Sequence, residues 1–392
     1  SVSSMEPMIP SENQRELEDL AASLIEKSAR MSGQLHPFIL EKIGDIVRNM
    51  NCYYSNLIED HNTLPFDIEK ALKNDFSTDN KKRELQLEAK AHIEVQSLIE
   101  KSELNENIFD EKYIRWIHKE FYNRLPEEFL NIKKPDTKEM FKIIPGELRS
   151  SEVIVGRHIP ISAKNIPQFL ERFKTAYHFE KLSRIRQIIA VAAAHHRLLW
   201  IHPFYDGNGR VVRLLSHAAF IKSGTGNRLW SISRGLARNS QEYKNRLADA
   251  DKPREGDLDG RGNLSQKYLT EFCKFFIQTA VDQVEYMSEM LDISKLLERI
   301  EFFSTELIKK KIILKGSNLL LREALYKGKI ARKSISTITG YSGRQAREIT
   351  STLIKQELLN SDTPYGDIYI QFPVKVLNAY FPNLYPPQAL PL

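Results

Sequence analysis

The chain has 392 residues, 41% hydrophobic and 28% charged, the balance of a folded globular protein rather than a disordered one. Its longest apolar run, at 188–194, has seven residues where a membrane span needs about 20, and its two cysteines, Cys52 and Cys273, stand far apart, which excludes a disulfide framework. Net charge is +6, yet residues 300–360 alone hold 12 Lys+Arg against 5 Asp+Glu, so the basic character belongs to a C-terminal module and predicts a nucleic-acid or acidic partner there.

Residues 1–14 are polar, with two prolines and no apolar centre. No secretory leader is expected there, and the cysteine usage predicts a reducing, cytoplasmic setting. Residues 11–105 read as helices. Apolar residues recur every three or four positions over 18–25 and 39–46, breaks fall at Thr63-Leu64-Pro65 and Thr78-Asp79-Asn80, and a long charged amphipathic helix is predicted over 81–102. A helix over 108–125 carries Ile114, Ile117, Phe121 and Tyr122 on one face; Pro126 and Pro135 then mark loops. Residues 146–160, bounded by Pro145-Gly146 and Pro160 and carrying Val153-Ile154-Val155, predict a short hairpin.

Two helices follow over 166–201, the second apolar on several faces, as in a helix buried at the centre of a bundle. A glycine-rich loop at 206–209 opens into a helix over 210–222, a loop is predicted over 253–263, and helices resume at 265–290 and 291–314. In the last module three short helices fit 319–326, 334–339 and 344–356, then a turn at 362–367 and an alternating strand over 368–372. That order predicts a helix-turn-helix with one wing. The expected fold is mainly α: an N-terminal helical region over 1–105, a helical core with a short β-hairpin over 106–290, and a linker helix with the winged module over 291–392.

The segment His202-Pro203-Phe204-Tyr205-Asp206-Gly207-Asn208-Gly209-Arg210-Val211-Val212-Arg213 carries the chemistry. Gly207, Asn208 and Gly209 can turn successive backbone N–H groups into one concavity, at the mouth of a helix whose N-terminus favours anions. Arg210 and Arg213 lie three apart on that helix, with forked donors suited to phosphate. Asp206 offers a hard carboxylate for Mg²⁺ beside phosphates, and His202 a general base near neutral pH. No Walker A pattern is present, and no Gly-x-Gly-x-x-Gly follows a strand.

The segment resembles the signature of Fic domains, His-x-Phe-x-Asp/Glu-Gly-Asn-Gly-Arg-x-x-Arg, at every specified position. Residues Gly146, Arg149, Val153, Ile154, Val155, Gly156, His158, Ile159 and Pro160 are similar to that family's flap. Asn239 and Tyr243 resemble its Asn-Arg-x-x-Tyr-Tyr pattern near the adenine pocket, with Ser240 and Lys244 departing from it. The likeness covers roughly residues 50–290.

The resemblance implies transfer of AMP from ATP to a Ser, Thr or Tyr hydroxyl of a protein, the chain itself included. It makes His202 the base and Asp206 the Mg²⁺ ligand. Gly207, Asn208 and Gly209 become the anion hole, Arg210 and Arg213 the phosphate clamps, and Val153 to Gly156 the strand that aligns the target. It leaves open removal of AMP, another donor, and a DNA-binding regulator whose core only senses nucleotide; a homodimer is a further implied partner. Ser55-Asn56-Leu57-Ile58-Glu59-Asp60 is similar to the inhibitory motif Ser/Thr-x-x-x-Glu-Gly/Asn, with Asp60 departing from it. Ser55 and Glu59 are therefore expected to restrain Arg213, since a carboxylate on that arginine competes with phosphate for the same fork.

His195 and His196 lack a metal-ligand spacing and read as core residues. In the last module, Arg344, Gln345 and Arg347 open the second helix of the helix-turn-helix. They are residue types that read base edges or phosphates, and equally serve protein-interaction surfaces.

Overall fold

The computed structural model describes residues 1–31, 34–103, 107–133 and 139–390; the loop expected at Pro135 lies outside the described residues. The chain divides into two compact units. The first comprises Ser1–Ala29, Asn51–Thr63 and Lys70–Val284, the second Arg30–Met50, Leu64–Glu69 and Glu285–Leu392. Among the described residues no helix is long and apolar enough to cross a membrane.

Helices dominate both. In chain order they are α1 (Arg15–Arg30), α2 (Pro37–Ile58), α3 (Pro65–Leu72), α4 (Asn80–Lys101), α5 (Glu111–Tyr122), α6 (Ile166–Ala176), α7 (Arg184–Ile201) and α8 (Asn208–Lys222). They continue with α9 (Ile232–Arg238), α10 (Ser240–Ala250), α11 (Gln266–Met290), α12 (Ile293–Lys309), α13 (Ser317–Lys327), α14 (Ile335–Thr339), α15 (Gly343–Lys355) and α16 (Val374–Tyr380). Several starts are fixed by side-chain caps: Asp79 accepts from Lys82 N, Asp110 from Lys112 N and Ser183 from Arg186 N.

In the first unit α7 is the core. Ile188 through Leu198 are buried on every side, as the apolar reading required. Ala190, Ala192, Ala193 and Ala194 keep the helix surface low, so α8 packs along it. Helices α4 and α5 then wall α8, and α6 covers α7. A regular hairpin pairs β1 (Asn131–Lys133) with β2 (Met140–Lys142), Ile132 opposite Phe141. The hairpin expected at 146–160 is reduced to one antiparallel bridge, Val155 with His158, closed by reciprocal backbone hydrogen bonds of 2.9 Å. Gly156, at φ +59°, makes the tight turn. Ile154 and Ile159 are 68% and 75% exposed, so this ribbon has no apolar face packed beneath it to extend the ladder.

In the second unit α12 and α13 pack together, and three antiparallel strands lie in the order β3-β5-β4: β3 (Lys329–Ile330), β4 (Leu359–Ser361) and β5 (Ile368–Ile370). The alternation expected for the last strand is absent. Ile368, Tyr369 and Ile370 are all buried because both faces of β5 are covered, Phe38 of α2 packing on the Tyr369 ring at 5.3 Å. Helix α14 ends at Gly340, φ +77°, and α15 begins at Gly343, φ +57°. A cleft of about 810 Å³ beside α15 is lined by Arg332, Arg347, Lys355 and Asp362 among others.

Candidate active site

The signature segment is the corner between α7 and α8. His202 sits at φ 50°, ψ 64°, the left-handed region, and its N–H still donates to Leu198 O at 3.0 Å. Arg149 holds this conformation. Its side chain is fully buried, and it donates to His202 O at 2.7 Å, Ile161 O at 2.6 Å, Ser151 O at 3.0 Å and Ile201 O at 3.4 Å. One guanidinium thus ties the base of the flap to the corner. Arg149→Ala leaves four carbonyls with a lost donor. It should cost about 2–4 kcal/mol and expose 150–161 to protease, read by thermal unfolding and limited proteolysis. Arg149→Lys should not rescue it, since an ammonium cannot span that fork.

The corner's glycines are required. A Cβ on Gly207, at φ +82°, would lie 2.8 Å from Tyr122 Oη; one on Gly209 would run into the Glu59 carboxylate. Asn208 ties the loop together. Its Oδ1 accepts from Phe204 N at 3.0 Å, and its Nδ2 donates to Phe204 O at 2.9 Å and to His202 Nε2 at 3.0 Å. With Nε2 accepting, the ring proton belongs on Nδ1, facing the Leu199 backbone. Burial, with Arg149 and His158 nearby, pushes His202 down to about 4. It is a neutral imidazole, and its Nε2 lone pair accepts from Asn208 at the loop mouth.

Asp206 is exposed. Its Oδ2 accepts from Tyr122 Oη at 2.5 Å, and its carbonyl from His118 Nε2 at 3.2 Å. His118 Nδ1 accepts from Gly146 N at 2.9 Å. Burial pushes His118 down to about 4, so it stays neutral and serves as a strut, stacked on Phe204 at 4.0 Å. Among the described residues no three His, Cys, Asp or Glu side chains converge as a metal cage. One open carboxylate at the anion loop fits an ion held mainly by phosphate oxygens and water, as Mg²⁺ is.

Both signature arginines are already engaged. Arg213, buried on α8, donates to Glu59 Oε1 at 2.5 Å, to Ser55 Oγ at 2.9 Å and to Ser55 O at 3.2 Å. Burial raises Glu59's carboxyl, but Arg213, then Arg210 and His61, outweigh it and hold the group below its usual value. The same carboxylate touches Gly209 in the first turn of α8, where an anion is favoured. Arg210 pairs instead with Glu88 of α4, and its guanidinium lies 5.3 Å from the centre of the Phe121 ring. His61 Nδ1 is 2.7 Å from Glu88 Oε1 and 3.0 Å from Arg210 Nη2.

Tyr243, the residue similar to the adenine-pocket pattern, packs against His195 and Arg213. It is 2% exposed, its hydroxyl lies 2.6 Å from His195 Nε2, and it bonds to Arg213. It braces the clamp from behind. His195 is the core residue the sequence predicted, with Nδ1 2.8 Å from Ser216 Oγ. Of the flap, Ile154, Val155 and Gly156 are exposed and Val153 half-buried. Sequence reasoning missed Glu88, His61, His118 and Tyr122 as parts of the site. For Glu88 a signal existed: it shares the stripe 88, 92, 95, 99 of α4 with His92, Val95 and Ile99, all buried.

Residues 108–219 match the model of the Fic/DOC family. The protein adenylyltransferase Fic of Drosophila erecta is 38% identical over 79 residues, which is 20% of this chain and 16% of that protein, so the chain aligns with about a sixth of that relative's length. A Fic family protein from Desulfovibrio desulfuricans G20 superposes over 93% of this chain and 98% of its own, with a TM-score of 0.53 and 16% identity. A Fic domain containing signaling protein from Bacteroides thetaiotaomicron covers 69% of this chain and 96% of its own, with a TM-score of 0.51 and 19% identity. The chain therefore contains a Fic domain, and at these identities the likenesses establish the fold alone.

Proposed function

We propose that the chain is a protein adenylyltransferase, transferring AMP from ATP to a Ser, Thr or Tyr hydroxyl of a protein. The observation that carries this reading is the Glu59 carboxylate, paired with Arg213 and lying against Gly209: the corner accommodates an oxyanion beside a neutral histidine. In the reaction Asn208 Nδ2 lets go of His202 Nε2, which then takes the hydroxyl proton as the target oxygen bonds to the α-phosphorus. The bond to the bridging oxygen of pyrophosphate breaks, and pyrophosphate leaves. Backbone N–H groups of Gly207, Asn208 and Gly209, with Arg210 and Arg213, hold the phosphates in line. Asp206 would hold Mg²⁺, which when bound neutralises charge on the departing pyrophosphate. Val153 to Gly156 would pair with the target's backbone. Ser55 and Glu59 form the brake, and self-modification, a homodimer and a cytoplasmic setting belong to the same reading.

Label transfer from ATP labelled at the α-phosphate tests it. No label in the chain or in a lysate, with Glu59 removed, would sink the reading. The pH profile of that variant carries a second expectation. A histidine lowered to about 4 is already deprotonated well below neutrality. Transfer should hold level from about pH 5.5 to 7.5 and fall only as pH drops toward 4; a falling limb centred near 6.5 would contradict it.

A second reading concerns the C-terminal module, for which we propose a winged helix that binds duplex DNA. It is supported by α14 and α15 with the β4–β5 turn, by the excess of cations over 300–360, and by exposed Arg344 and Arg347 at the start of α15. Binding to a 30-base-pair duplex should weaken steeply between 50 and 200 mM salt, and Arg347→Ala should reduce the salt slope by about one. Salt-independent association would argue for a protein partner instead.

A further inference from the structure

The two carboxylate–arginine pairs are built differently. Glu59 follows the end of α2, in a turn closed by Asp60 at φ 60°, and its side chain is 36% exposed. It can swing out into water, which frees Arg213 and the N-terminus of α8 together. Glu88 has no such exit. It lies within the 22-residue helix α4, its side chain is 9% exposed, and Arg210 opposite is 7% exposed. His61 closes the same carboxylate from the solvent side, and Phe121 of α5 backs the guanidinium. Breaking this pair would leave a buried charge without its counter-ion, which is strongly unfavourable. Arg210 Nε is buried and without a hydrogen-bond partner, so one donor of its fork is unspent.

We propose that Glu88, closed off by His61, is a positioning residue: it fixes Arg210 in the place where that arginine meets the phosphates. It acts in the opposite sense to Glu59, which must leave. A phosphate takes Arg213 from Glu59, but joins Arg210 while Glu88 stays. Removing Glu59 therefore raises transfer and removing Glu88 lowers it, although both substitutions take a carboxylate from a signature arginine. The inference rests on the AMP-transfer reading.

The test is made on the full chain carrying Glu59→Gly, with Glu88→Gln, Glu88→Asp or His61→Asn added. Transfer is followed with α-labelled ATP and Mg²⁺ for kcat and KM, binding of ATP with Mg²⁺ by calorimetry, and folding by thermal unfolding. Glu88→Gln should lower kcat/KM about 100-fold, with kcat falling as well as KM rising, since a misplaced phosphate clamp loses alignment. Glu88→Asp, which keeps the charge, should recover at least tenfold of that loss. Transfer by Glu88→Gln equal to or above that of the Glu59→Gly parent overturns the proposal and makes Glu88 a bystander or a second brake. If Glu88→Gln does not fold, His61→Asn decides, because that side chain is 41% exposed: a several-fold loss supports the proposal and an unchanged rate overturns it. If the Glu59→Gly parent transfers no label, the AMP-transfer reading fails on its own. The calorimetric arm then still decides Glu88: ATP affinity at least tenfold weaker in Glu88→Gln supports it, and unchanged affinity overturns it.

Discussion

Glu59→Gly should raise label transfer about 10- to 100-fold over the native chain. In the proposed reaction the native carboxylate would oppose ATP twice: it holds Arg213 through a charge-assisted hydrogen bond of 2.5 Å, and it lies against Gly209, where a phosphate oxygen would enter. A charged hydrogen bond contributes about 1.5–3 kcal/mol, and each 1.4 kcal/mol is a factor of ten. A site one-third open to water screens the pair and keeps the effect near the lower half of that span. The held-down carboxyl of Glu59 means the brake stays charged at neutral pH, so buffering between pH 6 and 8 should not release it. Glu59→Gln is the informative companion. It removes the charge and keeps the volume, so a rise with Gly but not Gln assigns the brake to bulk, and a rise with both assigns it to charge. A rate unchanged in both variants would dismiss the brake.

The signature corner is legible because its pattern is local: His202, Asp206, Asn208 and Arg213 fall within twelve residues, at the corner between α7 and α8. The elements were legible for a related reason. Apolar spacing along α4, α5 and α7 is set by the 3.6-residue period, and the caps Asp79, Asp110 and Ser183 stand where that spacing begins. What joins the corner to the rest is not local. Tyr122 meets Asp206 across 84 positions, and Glu88 meets Arg210 across 122. Among the lysines, arginines and glutamates at the start of α4, Glu88 looks like one more solvated charge; only its place on the buried stripe sets it apart. The hairpin expected at 146–160 shrinks to the Val155–His158 bridge because Ile154 and Val155 face solvent, while Asn131-Ile132-Lys133, with one β-branched residue, pairs in register with β2. Nor does the sequence reveal that Tyr243 packs behind Arg213, where His195 supplies a buried partner for its hydroxyl.

His202 removal should lower transfer by about 10²–10⁴-fold in the Glu59→Gly background, the range for loss of a positioned general base. The choice of replacement matters. His202 holds φ 50°, a region that alanine adopts less readily than histidine, so alanine adds some backbone strain to the lost imidazole. Asparagine tolerates the left-handed region, which makes His202→Asn the cleaner variant. Asn208 loses its Nε2 partner in both, but keeps Phe204 N and O, so the anion loop should persist. ATP binding measured by calorimetry should therefore stay within about threefold of the parent while kcat collapses, the mark of an interaction made only in the transition state. If both variants lose ATP affinity as much as rate, His202 is holding the loop together rather than moving a proton. If both transfer label at the parent's rate, the base lies elsewhere, and a neutral histidine at the mouth of an anion loop is then a bystander.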